Sequence, residues 1–256
     1  RSIAFVVLFY ATTALFLVLG SPLLLAPRRW AMAGLDMHGR ACVWLLRIVT
    51  GTRMEVRGRQ HLPTGACLIA AKHQSAWDTF ALIPLLRDPA VVLKAELTTI
   101  PHYCTCCRKF EHRIVSRERA AIARKSMLAT SRQRAEQGRE ILIFPEGTRS
   151  PPGAPPDYKP GIVALYETLA LPCIPLALNS GLYWPRRSLM RFPGTIVVEF
   201  LEPIPPGLDR RTFRSTLETR IEAATARLLA EAAASERPPP MPVPASETLT
   251  HTPNET

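Results

Sequence analysis

Hydrophobic and polar positions alternate in three regimes along this 256-residue chain. Between positions 2 and 27 there is no charged residue, and 3–19 is almost wholly apolar. Twenty helical residues cover about 30 Å, the thickness of a bilayer's hydrocarbon core. Arg1 on one side and Arg28, Arg29 and Trp30 on the other form a basic and aromatic edge suited to lipid headgroups. The segment is read as a membrane anchor. A signal peptide would have a shorter apolar region and a small-residue cleavage site, and Pro22 leaves a re-entrant hairpin open. A second helix is expected over 30–50, where apolar Leu35, Val43, Leu45, Leu46, Ile48 and Val49 are interrupted by Arg40 and Arg47. Those arginines either snorkel toward headgroups or flank an ordinary core-packing face.

After residue 50 the period changes. Short apolar runs at 54–57, 67–71, 91–94, 113–115, 141–144, 173–178 and 195–200 read as strands, and helical patterns occupy 76–86, 117–137, 161–169 and 209–233. Gly138 suits a helix stop and Pro160 a first helical turn. This alternation predicts an α/β fold, a sheet covered by helices, carrying the N-terminal hydrophobic segment as an appendage. From 235 onward a Pro-rich run leads into a Ser/Thr/Glu tail that cannot bury a core. The expected division is therefore 1–50 for the membrane-associated helices, 51–234 for the folded domain and 235–256 for a disordered tail.

A net charge of +11 points to an anionic partner, such as a phospholipid surface or a phosphorylated substrate. Nucleic acid is not expected, because zinc-finger, basic-zipper and RNA-recognition signatures are missing and only 7% of residues are aromatic. Six cysteines, at 42, 67, 104, 106, 107 and 173, show no disulfide framework, and several lie in core-like runs, which fits free thiols in a reducing compartment. His102, Cys104, Cys106, Cys107 and His112 gather soft ligands, but Cys-x-Cys-Cys followed by His is not a standard zinc spacing. The cluster is read as a loop with incidental thiols, and no metal is expected.

Two clusters carry chemistry. His73-Gln74-Ser75-Ala76-Trp77-Asp78 follows the strand at 67–71 and offers a base with a carboxylate five residues on. On a continuous helix that spacing separates the two by roughly 140°, so a bend must bring them together. Ser75 as a helix cap, with Asp78 in the first turn, supplies one. A carboxylate on one ring nitrogen fixes the tautomer and raises the basicity of the other. The same residues also form a capping-box pattern, in which Asp78 merely satisfies a backbone donor. The second cluster, Phe144-Pro145-Glu146-Gly147-Thr148-Arg149-Ser150, follows the strand at 141–144. There Gly147 admits close backbone approach, and Thr148 and Arg149 can donate to phosphate oxygens. Signatures of serine hydrolases, nucleotide hydrolases, dehydrogenases and zinc peptidases are missing from the sequence.

His73-x4-Asp78, a basic segment ending at Arg117, the 144–150 motif and Ile174-Pro175-Leu176-Ala177 occur in the order of the glycerolipid acyltransferase family, which this chain resembles from its N-terminus to about Pro206. The resemblance implies transfer of a fatty acyl group from acyl-CoA or acyl carrier protein to the hydroxyl of 1-acyl-glycerol-3-phosphate, giving phosphatidic acid, with no cofactor beyond the donor. It implies His73 as base and Asp78 as its orienting group. It also implies Arg117, Glu146, Gly147, Thr148 and Arg149 as acceptor-binding residues, with Lys94 as a further cation. Family members often carry a Gly-Trp-like pair and an Asp before the arginine, where this chain reads Cys104-Thr105 and Ser116-Arg117. A lyso-ornithine-type or other lysolipid acceptor is therefore an alternative, and a non-catalytic protein binding anionic lipid is another. The free thiols, basic juxtamembrane segment and cytosolic donors agree on the cytoplasmic face for the expected catalytic domain, and the resemblance alone implies that the membrane is a bacterial inner membrane.

Overall fold

The computed structural model describes residues 1–94, 113–115 and 120–242. Within these, seven strands form one sheet: β1 (Thr52–Arg57), β2 (Leu68–Ala71), β3 (Ala90–Lys94), β4 (Arg113–Val115), β5 (Ile141–Ile143), β6 (Cys173–Leu178) and β7 (Gly194–Phe200). Their order is β1-β7-β6-β2-β5-β3-β4. From β6 to β4 all neighbours are parallel, β7 meets β6 antiparallel, and β1 runs parallel to β7. The central strands β2, β5 and β6 are buried at every residue. Such a strand must be apolar on both faces, which is why these segments read as continuous hydrophobic runs.

Alternate residues of these strands feed two separate cores. Ile69, Ala71, Leu142, Ile174 and Leu176 face one side, with Phe5, Cys42, Leu46, Trp77 and Phe80. Leu68, Ala70, Ile141, Ile143 and Cys173 face the other, with Ile162, Leu165, Phe213, Leu217 and Ile221. The first core takes its helical cover from α1 (Ser2–Leu19), α2 (Arg28–Thr50) and the single turn α3 (Asp78–Ala81); the second lies under α4 (Ala120–Glu136), α5 (Gly161–Leu169) and α7 (Arg210–Ala233). A short helix α6 (Ser180–Tyr183) follows β6 directly. The sheet covered by helices is thus as the alternation predicts.

α1 is long and apolar enough to cross a membrane, with a mean hydropathy of 2.4. Its inner side is packed on the domain: Phe5 meets Trp184 edge-on at 5.2 Å, and Phe9 lies 5.6 Å from Phe80. Its outer side leaves Ile3, Val7, Tyr10, Val18 and Leu19 exposed. α2 divides likewise, with Cys42 and Leu46 buried and Trp44 and Ile48 exposed, while Arg40 pairs with Asp36 one turn away at 2.7 Å. Gly39 lets α2 settle onto the following layer, since a Cβ there would lie 2.7 Å from the Phe80 carbonyl oxygen.

Several expectations are corrected. The helix expected over 76–86 is one α-turn followed by a 3-10 turn, Ile83–Leu85. Pro84 has no N–H to continue an α ladder, and its ring obstructs the preceding carbonyl. Asp209 lies outside α7 as its N-cap, accepting from the amides of Arg211 and Thr212 at 3.0 and 3.1 Å. The start expected for α4, 117–119, lies outside the described residues. In the tail, Pro239 is buried and Pro242 lies beside Gly153, so the segment up to 242 is laid against the domain; 243–256 lies outside the described residues. A proline segment has little backbone freedom to lose and few amides to satisfy, so it packs cheaply.

Candidate active site

β6, β2 and β5 are adjacent and parallel, so their C-terminal ends open on one side of the sheet. That is where an open α/β sheet places its ligand site. The loops at 72–77 and 144–150 and the start of α6 at Ser180 follow these three strands, and they carry nearly all the polar residues that meet there.

After β2 the chain bends rather than entering a helix. Ser75 Oγ accepts from the Trp77 amide at 3.2 Å, closing the turn. Asp78 then reaches back: its Oδ2 accepts from His73 Nδ1–H at 2.9 Å and from the amides of Gln74 and Ser75 at 2.8 and 2.9 Å. Its Oδ1 accepts from Ser180 Oγ at 2.5 Å. Asp78 is wholly buried. A carboxylate taken out of water needs such donors, and four offset much of its desolvation cost. The capping and dyad readings of this sequence are therefore both true of one side chain. With Oδ2 accepting from Nδ1–H, the neutral ring carries its lone pair on Nε2. Phe144 stacks on the imidazole at 4.1 Å between centroids, fixing its plane from the β5 side.

The loop after β5 is tied to the same place. The Ser150 amide donates to the His73 carbonyl at 2.8 Å, and the Gly147 amide donates to Phe144 at 2.9 Å with Gly147 in the left-handed region, φ 62°. A β-branched or bulky residue there would be strained. Glu146 points inward: its carboxylate lies 3.1 Å from Lys72 Nζ and accepts from Ser150 Oγ at 2.5 Å, and it is 1% exposed. Lys72 in turn meets Glu222 of α7 at 2.8 Å, and Glu222 accepts from Tyr158 OH at 3.0 Å. Burial and the Glu222 carboxylate push the Tyr158 phenol well up. Thr148 is exposed and Arg149 half-buried; the Arg149 guanidinium makes no ion pair among the described residues, while its carbonyl accepts from Arg186 Nη1 at 2.9 Å.

The structure thus brings His73 and Asp78 together and sets the 146–149 loop beside them. Lys94 ends β3, two strands from β2. Arg117 lies outside the described residues, as do Thr105, Ser116 and the cluster of His102, Cys104, Cys106, Cys107 and His112. Among the described residues, no group of three or more His, Cys, Asp or Glu could hold a metal. Cys42, Cys67 and Cys173 are free and buried.

Sequence reading missed Lys72, Ser180, Tyr158 and Glu222. Ser180 carried a usable signal, since it follows a predicted central strand at the same sheet end as His73. Glu222 carried none, lying mid-helix 150 residues from its partner Lys72.

The site is thus a carboxylate-held imidazole beside a Gly-Thr-Arg loop, at the strand ends of a mostly parallel sheet. Residues 53–179, just under half of the chain, match the family model described as Acyltransferase. It is 37% identical over 159 residues to the 1-acyl-sn-glycerol-3-phosphate acyltransferase of Pseudomonas aeruginosa, covering 62% of each chain. It is 29% identical over 158 residues to the alpha form of that enzyme from Mus musculus, covering 60% of this chain and 55% of the mouse protein. The matches thus span less than two thirds of either relative's length. The fold is similar to the crystal structure of the 1-acyl-sn-glycerophosphate (LPA) acyltransferase PlsC from Thermotoga maritima, with a TM-score of 0.75 and 20% identity, over 89% of this chain and 96% of that one.

Proposed function

We propose that the chain is a membrane-associated enzyme that moves a fatty acyl group from an acyl thioester, acyl-CoA or acyl carrier protein, to the free hydroxyl of 1-acyl-glycerol-3-phosphate, forming phosphatidic acid for phospholipid synthesis. The observation that carries this reading is the 2.9 Å bond between His73 Nδ1 and Asp78, which in the neutral ring puts the lone pair on Nε2, at the mouth of the sheet. The acceptor oxygen attacks the thioester carbonyl as its proton passes to Nε2. The tetrahedral centre then collapses, the C–S bond breaks, and the thiol leaves with the proton from His73. The imidazolium formed in between is stabilised by the ionised Asp78. A thiol is a good leaving group, so no covalent enzyme intermediate is needed.

Arg149 and Thr148 bind the acceptor's phosphate, with Arg117 and Lys94 as further cations. Gly147 keeps the backbone close to it. Glu146 serves the same loop from beneath, through Lys72 and Ser150, rather than by facing the phosphate. The relatives named as 1-acyl-sn-glycerol-3-phosphate acyltransferases support this acceptor. The apolar α1 supports residence at a membrane, and free buried thiols agree with the cytoplasmic face of a bacterial inner membrane.

The test is acyl transfer by the purified full chain and by His73→Ala, using a radiolabelled acyl donor and a panel of lysolipids with and without a phosphate. The variant should lose about 10²–10⁴-fold in rate while keeping its fold and lipid binding. Equal rates for variant and parent would end the enzymatic reading. A parent preference for a phosphate-free acceptor would move the substrate to a lyso-ornithine-type lipid.

A further inference from the structure

Large apolar side chains exposed to solvent are confined to few places in this protein. Among the described residues they lie on α1, on α2 and the link between them, at Met241 near the C-terminus, and at one adjacent pair, Leu189 and Met190, at 64% and 52% exposure. The pair sits in the loop between α6 and β7, far in sequence from the N-terminal helices. In space the loop is joined to them. The Arg191 amide donates to Ser2 Oγ at 3.0 Å, and Ser2 Oγ lies 3.2 Å from the Arg191 carbonyl. The Arg191 guanidinium lies over the Trp184 ring at 4.1 Å and reaches Phe5 of α1 at 5.9 Å. Leu189 and Met190 therefore adjoin the first turn of α1, whose outward Ile3 is 72% exposed.

The loop does not expose these side chains for want of order. Arg191 Nη1 donates to the carbonyls of Ser188 and Met190, the Met190 amide donates to Ser188 Oγ, and the Phe192 amide donates to Tyr183. A rigid loop that holds two large apolar side chains outward presents them to something. Exposed Arg186 and Arg187 precede them, so the loop offers a basic edge and an apolar tip. That pairing matches an anionic bilayer surface, where apolar groups enter the acyl boundary and arginines stay among the phosphates.

We propose that the 185–193 loop is a second membrane-contacting element, which inserts Leu189 and Met190 into an anionic phospholipid surface beside the N-terminal end of α1. Arg186, in the same loop, donates to the Arg149 carbonyl at 2.9 Å. Membrane contact by this loop thus holds the 146–149 loop at headgroup level, where a lysolipid would arrive without leaving the bilayer. The contact itself stands independently of the acyl-transfer reading.

The experiment is partition of the full chain onto phosphatidylcholine vesicles, with and without phosphatidylglycerol, measured by co-flotation. Leu189→Ser combined with Met190→Ser should lower the partition constant at least about tenfold on both vesicle types, because two half-exposed apolar side chains are lost from the lipid contact. Arg187→Gln should lower binding about fivefold on anionic vesicles only. Each single apolar variant should give roughly a threefold loss, which keeps the test open if the double variant fails to fold. A double variant that folds and partitions like the parent overturns the proposal. It is also overturned if that variant converts a detergent-solubilised dimer to a monomer and leaves partition unchanged, since the loop would then face a second copy of the chain.

Discussion

Ser180 Oγ donates to Asp78 Oδ1 at 2.5 Å across 102 residues of sequence, on the carboxylate oxygen that His73 does not use. The orienting group of the histidine is thereby held from two strand ends, β2 and β6. Two donors, from Gln74 and Ser75, are backbone amides, which any substitution other than proline leaves in place. Among the described residues, Ser180 is the one side chain besides His73 that bonds to that carboxylate.

Ser180→Ala should therefore act on catalysis through Asp78. The buried oxygen loses a hydrogen bond to a charged group, a loss of about 1.5–3 kcal/mol in stability. With Asp78 freer to turn, kcat should fall about tenfold while KM for both substrates stays near the parent value. Ser180→Thr, which keeps the hydroxyl, should recover most of both. Unchanged kcat in the alanine variant, with only the melting temperature lowered, would leave Ser180 a purely structural residue.

Lys72 is 2% exposed and bridges Glu146 at 3.1 Å and Glu222 at 2.8 Å, so it holds the loop after β5 to α7. Lys72→Met removes the cation and leaves the Glu146 carboxylate buried without its charge partner. Breaking a buried pair from one side destabilises by about 3–5 kcal/mol. Adding Glu146→Gln should return part of that loss, because the neutral amide needs no counter-charge. Urea unfolding of the parent, the single and the double variant measures this. A single variant within about 1 kcal/mol of the parent would mean the pair is not structural.

How much of this is legible in the sequence depends on the reach of each interaction. β6 and α5 read correctly to the residue, because a buried strand and a short amphipathic helix each declare themselves within one window of sequence. The bend between His73 and Asp78 is legible for the same reason, since its donors lie within five residues. The helix over 76–86 is misread because apolar spacing outweighs Pro84 in a short window. Glu146 reads as a substrate ligand from its motif but turns inward to Lys72. That orientation depends on β2 and β5 being neighbours, which local pattern does not specify. For Ser180 the sequence shows the strand end but not the partner, because only the placement of β6 beside β2 brings it to Asp78.

Arg149 is suited to test the acceptor's chemistry, because among the described residues its guanidinium makes no ion pair whose loss would confuse the result. Under the proposed function, Arg149→Ala should raise KM for 1-acyl-glycerol-3-phosphate about 10–100-fold, as expected for losing hydrogen bonds to a charged group. KM for the acyl donor should not change, and neither should the melting temperature. A phosphate-free lysolipid should show no difference between variant and parent. An unchanged KM for the phosphate-bearing acceptor would place its anionic end elsewhere.

The buried cysteines give a prediction independent of any substrate. Burial pushes the Cys42 and Cys67 thiols up to about 12, with Glu140 adding to the shift at Cys67, and raises Cys173 as well. Only the thiolate is nucleophilic, so at about pH 8 iodoacetamide should leave these three unlabelled in the folded protein and label them all in guanidinium, as read by peptide mass spectrometry. The linkage sign follows from the same shifts. Folding favours the protonated thiol, so the unfolded chain ionises first, and stability should fall as pH rises above the unfolded value near 9.0. Each such thiol steepens the fall by up to about 1.4 kcal/mol per pH unit between the two values. Cys67→Ala should therefore have a shallower alkaline slope than the parent in urea unfolding, whatever its stability at neutral pH. Parallel slopes for the two would mean that Cys67 ionises as readily in the folded chain as in the unfolded one.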